Sequence, residues 1–188
     1  MSRSSFNRFL AATGAGIAVL LLVAGGLLAW AAHFANSQVS SQLSAQRITM
    51  PSGKAIEDPK IKPHLEQYAG STMDNGDKAK AFADHYIQVH MDTAAKGRTY
   101  NEVSSEFMAA SKDPARADSE ETKKLGELRQ TLFMGDTLRS MLLTAYAFGT
   151  MGKIAQIASY ICFGGAATML LLSTLGLRRA RAAGDAAA

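Results

Sequence analysis

Two apolar runs bracket this chain, and they dictate most of what it can fold into. Residues 9–34 read FLAATGAGIAVLLLVAGGLLAWAAHF and residues 154–177 read IAQIASYICFGGAATMLLLSTLGL, with no Asp, Glu, Lys or Arg in either. About 20 apolar residues in a helix cross the roughly 30 Å hydrocarbon core of a bilayer, so each run suffices. A backbone inside lipid must satisfy its own hydrogen bonds, which restricts a lone run of this kind to α-helix.

The second run poses a question of where it begins. Apolar character starts near Leu138, and Lys153 interrupts it within the stretch YAFGTMGKIAQI. A span over residues 138–177 would measure about 60 Å at 1.5 Å per residue, twice what is needed. It would also carry Lys153 near its middle, at a cost of about 2.5–3.5 kcal/mol. With Lys153 at the outer interface, its aliphatic stem can reach the headgroups and most of that cost disappears. Lys153 therefore marks the boundary. Trp30 marks the corresponding end of the first run, where aromatic side chains favour the interface.

Charge placement gives direction. Residues 33–153 carry fifteen Lys/Arg and fifteen Asp/Glu, so the net charge of +4 resides at the ends. Arg3 and Arg8 precede the first run, and Arg178, Arg179 and Arg181 follow the second. Basic residues flanking a span stay on the cytoplasmic side, so both termini are expected there. A nucleic-acid partner is excluded by the same distribution, since no basic face remains to neutralise phosphates. The single cysteine, Cys162, permits neither an internal disulfide nor a Cys-based zinc site.

The expected organisation is a cytoplasmic tail (1–8), a first transmembrane helix (9–34), an extracytoplasmic helical domain (35–153), a second transmembrane helix (154–177) and a basic cytoplasmic tail (178–188). The first run has a second reading as a secretory signal cleaved after Ala31, given the small-x-small pattern Ala29-Trp30-Ala31. Its apolar part exceeds the 7–15 residues of a signal core, which favours a retained anchor. The small residues Gly14, Gly16, Gly25, Gly26, Gly164 and Gly165 suit close helix packing, although GxxxG spacing is absent. The expected fold class is an all-α membrane protein, its two transmembrane helices extending outward as an antiparallel hairpin capped by short helices.

The hairpin's upper half is drawn from two extensions. One carries Phe34, Val39 and Leu43; the other carries Leu125, Leu128, Leu132, Leu138, Met141, Leu142, Ala145 and Phe148. Between them, ITMPSGKAIEDPKIKP is predicted as an irregular loop with an extended piece at residues 48–50. Ala79, Phe82, Tyr86, Val89 and Thr93 recur at helical spacing, and Gly97 supplies a stop. Thr99 and Glu102 have the spacing of a capping box. Asp113-Pro114 has the form of an N-cap and first helical position, so the last helix opens there or after a break near Ser119.

The search for chemistry is negative. His85 and His90 lie five apart, about 140° around a helix, which is not the i,i+4 spacing of metal pairs. His64 joins them only through a tertiary fold. Asp74, Asn75 and Asp77 have a calcium-loop composition, but the twelfth position is His85 instead of the bidentate Glu; a turn into a helix N-terminus accounts for them. No G-x-S-x-G occurs, and the glycines at 14–26 lie in an apolar run without a preceding strand. No catalytic, cofactor-binding or metal-ligating residue is assigned, and no cofactor is expected.

Three stretches, SSQLSAQRITM, AKGRTYNEVSSE and LRSMLLTAYAFGTMGKIA, together resemble a group of actinobacterial membrane proteins. These have two spans around an extracytoplasmic helical domain and often carry the label aromatic ring-opening dioxygenase. The resemblance implies topology and bacterial origin and transfers no site residues; the dioxygenase label finds no iron-ligand set in this chain.

The functional expectation is an accessory or scaffold component of a larger membrane or envelope complex, with lipid and either other membrane subunits or a second copy as partners. Met134, Met141, Leu142, Leu143, Tyr146, Phe148 and Met151 cover nearly every side of the approach to the second span, and such a helix must be buried by something. Met141, Leu142, Leu143, Tyr146, Phe148 and Met151 are the candidate interface; Trp30, Lys153, Arg178, Arg179 and Arg181 mark the membrane boundary. The alternative is an extracytoplasmic binding module for lipid or another apolar ligand, lined by Phe82, Tyr86, Val89 and Tyr100. A hydrolase or oxidoreductase, to be recognised by bound metal lost on His85→Ala or His90→Ala, is the third class.

Overall fold

The computed structural model describes residues 3–185. It is all-helical, with no strand among the described residues. Helix α1 runs Arg3–Ala45, α2 Lys62–Leu65, α3 Gly76–Phe82, α4 Gln88–Ala95, α5 Tyr100–Lys112 and α6 Glu120–Asp185. A π-turn, Ala83–Ile87, joins α3 to α4, and 3-10 turns occupy Gly53–Ile56 and Glu66–Tyr68. Two helices, α1 and α6, are long and apolar enough to cross a membrane. The chain divides into two compact units, one of Met1–Asn36 with Met151–Ala188, the other of Ser37–Thr150.

The first unit packs with its small residues inward. Its buried positions include Ala11, Ala18, Gly25, Ala32, Gly152, Ser159, Ala166, Ser173 and Ala180, while Leu20, Leu27, Ile157, Ile161 and Leu171 are exposed. Gly25 is in contact range of Cys162 and Phe163: a Cβ built there would stand 3.0 Å from the Phe163 ring. The Ser159 hydroxyl donates to the Gly25 carbonyl at 2.9 Å. Gly152 lies against Asn36, Gly165 against Leu21, Gly14 against Ser173 and Gly176 against Ala11. Of the six glycines expected to allow close approach, Gly14, Gly25 and Gly165 do so, whereas Gly16, Gly26 and Gly164 have nothing near them.

The second unit packs the other way, with large residues inside. One cluster gathers Val39, Leu43, Met50, Ile56, Ile61, Leu65, Met73 and Leu142; another gathers Met91, Ala95, Val103, Ala110, Leu125 and Leu132. Two short segments are tied by backbone bonds around a single Thr49–Thr72 bridge, with Met50 N–H donating to Ser71 at 2.8 Å and Met73 N–H to Ile48 at 2.9 Å. The extended piece expected at residues 48–50 is thus present. Gly76, at the start of α3, crosses α6 so closely that a Cβ would sit 2.9 Å from the Tyr146 Cα. Asn75 caps α3 by accepting from the Lys78 N–H at 3.1 Å.

The π-turn explains a difference from the expected helical stripe. A π-turn inserts one extra residue into an α-helix, which rotates the later face by about 100°. Ala79 before it and Ala83 at its start are buried; after it the buried positions are Met91 and Ala95, where uninterrupted periodicity leads to residues 90 and 94. Thr93, expected on the inner face, is exposed. The helix then ends with Lys96 and Gly97 both left-handed, at φ 55° and 76°.

Thr99 and Glu102 form the full capping box that opens α5. Asp113 does not open the last helix: it closes α5, and its carboxylate accepts from the Ala115 N–H at 2.9 Å in a turn. The Ser119 hydroxyl accepts from the Thr122 N–H at 3.2 Å, so the last helix starts after the break at Ser119. Both α1 and α6 extend into the expected tails; in the C-terminal tail Ala and Arg are strong helix formers. The extreme ends of those tails, residues 1–2 and 186–188, lie outside the described residues.

Candidate functional site

Two features of the second unit stand out as places where chemistry or recognition could occur. The first is a face of α6. Met134, Leu138, Met141 and Phe148 follow one another at four, three and seven residues, which keeps them on one side of a helix. Their exposures are 54%, 51%, 66% and 51%, far above a core value for residues so apolar. Phe133 extends the patch, and together with Tyr100, Asp136, Thr137, Ser140 and Met141 it lines a shallow groove of about 420 Å³.

The six expected interface residues do not share one environment. Leu142 is 5% exposed and belongs to the unit's own core, against which Leu143 also packs. Tyr146 is half-buried beside Gly76, with the Lys80 ammonium over its ring at 5.4 Å. Met141 and Phe148 are exposed, as is Met151, the first α6 residue of the other unit. The surface open to a partner in the second unit is therefore Met134, Leu138, Met141 and Phe148. Met134 was legible as an apolar residue of that approach and Leu138 as the start of the apolar run, but neither was among the six.

Of the boundary residues, Trp30 is 66% exposed and stacks on Phe34 with centroids 5.7 Å apart. Lys153, Arg178, Arg179 and Arg181 are exposed on α6. The four residues of the alternative ligand pocket fall into two groups. Phe82, Tyr86 and Val89 pack on the first cluster, with Phe82 and Tyr86 stacked at 5.0 Å, whereas Tyr100 packs on the second.

The second feature is the π-turn and what it holds. Arg139 of α6 donates through Nε to the Ala83 carbonyl at 3.1 Å and reaches the Asp84 carboxylate at 3.3 Å. Lys80 also pairs with Asp84. Burial acts to raise the Asp84 carboxyl, but the Lys80 hydrogen bond and charge, followed by those of Arg139, outweigh it and hold the group below its usual range. The Asp84 bond raises Lys80 correspondingly.

His85, the next residue, lies flat on His64 of α2, centroids 3.5 Å apart and planes 6° from parallel. His90 is elsewhere, its Nδ1 within 2.7 Å of the Tyr86 carbonyl. Parallel imidazoles send their in-plane lone pairs side by side and not to a common point, so this pair is no chelate. Among the described residues no three His, Cys, Asp or Glu converge on a metal position.

No protein family, no curated protein and no solved structure matches the chain. The site must be read from its own geometry.

Proposed function

We propose that the protein is a non-enzymatic accessory or scaffold subunit of a larger bacterial membrane or envelope complex. In this reading it is an integral protein of the cytoplasmic membrane, with both termini cytoplasmic and residues 35–153 outside. The two transmembrane helices form an antiparallel hairpin. Contacts in the first unit support that arrangement: as positions fall along α1 from Asn36 through Gly25 and Gly14 to Ala11, they rise along α6 from Gly152 through Cys162 and Ser173 to Gly176. The resemblance to actinobacterial two-span proteins belongs to the same proposal.

The observation that carries the functional reading is the apolar face of α6 at Met134, Leu138, Met141 and Phe148. Patches of large apolar side chains on a water-facing unit mark interaction sites. Methionine suits such a surface because its unbranched, polarisable side chain adapts to a partner. The partner is another membrane subunit, or a second copy, presenting an apolar helix. Lipid contacts the exposed side chains of the first unit.

The test is affinity purification of the tagged protein from native membranes in mild detergent, followed by mass spectrometry. Other membrane subunits should co-purify in stoichiometric amount and be lost from Met141→Lys and Phe148→Lys variants that still insert. Recovery of the chain alone, or a complex that survives both substitutions, contradicts the reading.

A further inference from the structure

The π-turn also positions His85 to meet a segment that sequence spacing leaves unconnected. His64 occupies the single turn of α2, and its neighbours Ile61 and Leu65 are 2% and 0% exposed. The segment containing them is short and irregular, and α2 packs on α3, the π-turn and the following 3-10 turn. The face-to-face imidazoles are therefore one of the ties that hold it down.

Such a stack has a protonation limit. Two neutral rings, or one neutral and one cationic, can lie 3.5 Å apart, whereas two imidazolium ions repel. The surroundings decide whether a counter-ion is present. The acid beside the pair, Asp84, already holds Lys80 and Arg139. On α2, Lys62 pairs with Glu66 of the 3-10 turn at 3.7 Å. On α3, Lys78 is engaged by Asp74 at 3.0 Å, and Asp77 lies in the first turn. Burial, then His64, pushes His85 below its ordinary value; Asp84 opposes this and Lys80 adds to it.

We propose that the His64–His85 stack is a pH-sensitive latch, closed at neutral pH and released when acid protonates both rings, freeing the α2 segment from the π-turn. This stands on the ring geometry and is independent of the partner assigned to α6. The protein outside the cytoplasmic membrane meets the pH of its surroundings directly, which gives the latch something to report.

Hydrogen exchange of the full-length protein in lipid nanodiscs tests it. The quantity read is the protection factor of the Leu65 and Gly70 amides, which donate to Ile61 and Met50, normalised to the free-chain rate at each pH. Between about pH 7.5 and about pH 5, the range in which histidine titrates, protection should fall at least about tenfold. His64→Phe, which keeps a flat ring without charge, and His64→Gln should both abolish that fall, and His90→Phe should retain it. A wild-type protection factor independent of pH overturns the proposal. So does a tenfold fall that persists in either His64 variant.

Discussion

The two units of this protein solve the same packing problem with opposite residues. In the first, Ala, Ser and Gly face inward while Leu20, Leu27, Ile157, Ile161 and Leu171 face out; in the second, Leu, Met, Ile and Val face inward. Water makes large apolar side chains costly on a surface, and the inward packing of the second unit's large residues suits it. Lipid removes that cost and leaves close van der Waals approach as the source of helix association, which small residues allow. The most apolar stretches of α1 and α6 are only 17% and 11% buried, unlike the mostly buried core helix of a soluble protein. One chain thus carries two sets of packing rules, and the change of rule falls along the length of α1 and α6.

The comparison can be broken by charges placed on either surface. Leu20, 71% exposed near the middle of the first apolar run, should not tolerate lysine: Leu20→Lys is expected to cost about 3 kcal/mol or more of insertion free energy. Met108, 46% exposed on α5, should accept the same change within about 0.5 kcal/mol. The fraction of protein resisting alkaline carbonate extraction reads the first, and thermal unfolding in detergent the second. Equal tolerance at the two positions would remove the distinction between the units.

Smaller effects sharpen it. Val103 is fully buried on α5, and Val103→Ala should destabilise the second unit by about 2 kcal/mol through lost burial and a residual cavity. Insertion should be unchanged. Thr99→Ala removes the α5 cap and should cost about 1 kcal/mol, seen as a lower unfolding midpoint. Ser159→Ala deletes the hydroxyl bonded to the Gly25 carbonyl and should cost about 0.6 kcal/mol, the average for such bonds between membrane helices. Thermal unfolding of Ser159→Ala in detergent, compared with the unaltered protein, reads that loss.

Acid should act on the second unit through His85 and Asp84. His85 is held below its ordinary value in the folded state, so the unfolded chain binds the proton more readily. Stability from this group is fully present above the ordinary histidine range and declines as pH falls through it. The depressed Asp84 carboxyl has the same sign at lower pH: its contribution is present above the ordinary carboxylate range and is lost below it.

The sequence disclosed what depends on composition and local rules. Both long helices follow from uncharged runs, and the α5 cap from Thr99 and Glu102. Val39, Leu43, Leu125 and Leu132 were legible as inward residues, since apolar periodicity on a helix identifies a core. Three things were hidden. The π-turn at residues 83–87 has no residue signature, and it displaced every later position on that helix by one. The meeting of His64 and His85 depends on how an irregular loop folds back, which no spacing encodes. The split of the candidate interface, with Leu142 inside and Met141 and Phe148 outside, depends on which side of α6 the other elements cover. A run that is apolar all round cannot say that by itself.

The central claim is that the unit with small residues inward lies in the membrane and the other lies outside it. Single cysteines in a Cys162→Ala background, placed by Lys96→Cys in the outward loop and Ala182→Cys after the basic cluster, can be challenged with a membrane-impermeant maleimide under conditions that admit it to the outer face of the cytoplasmic membrane but not to the cytoplasm. The account predicts labelling of Lys96→Cys in intact cells, and of Ala182→Cys only after permeabilisation. Labelling of Ala182→Cys in intact cells, or protection of Lys96→Cys there, would contradict it.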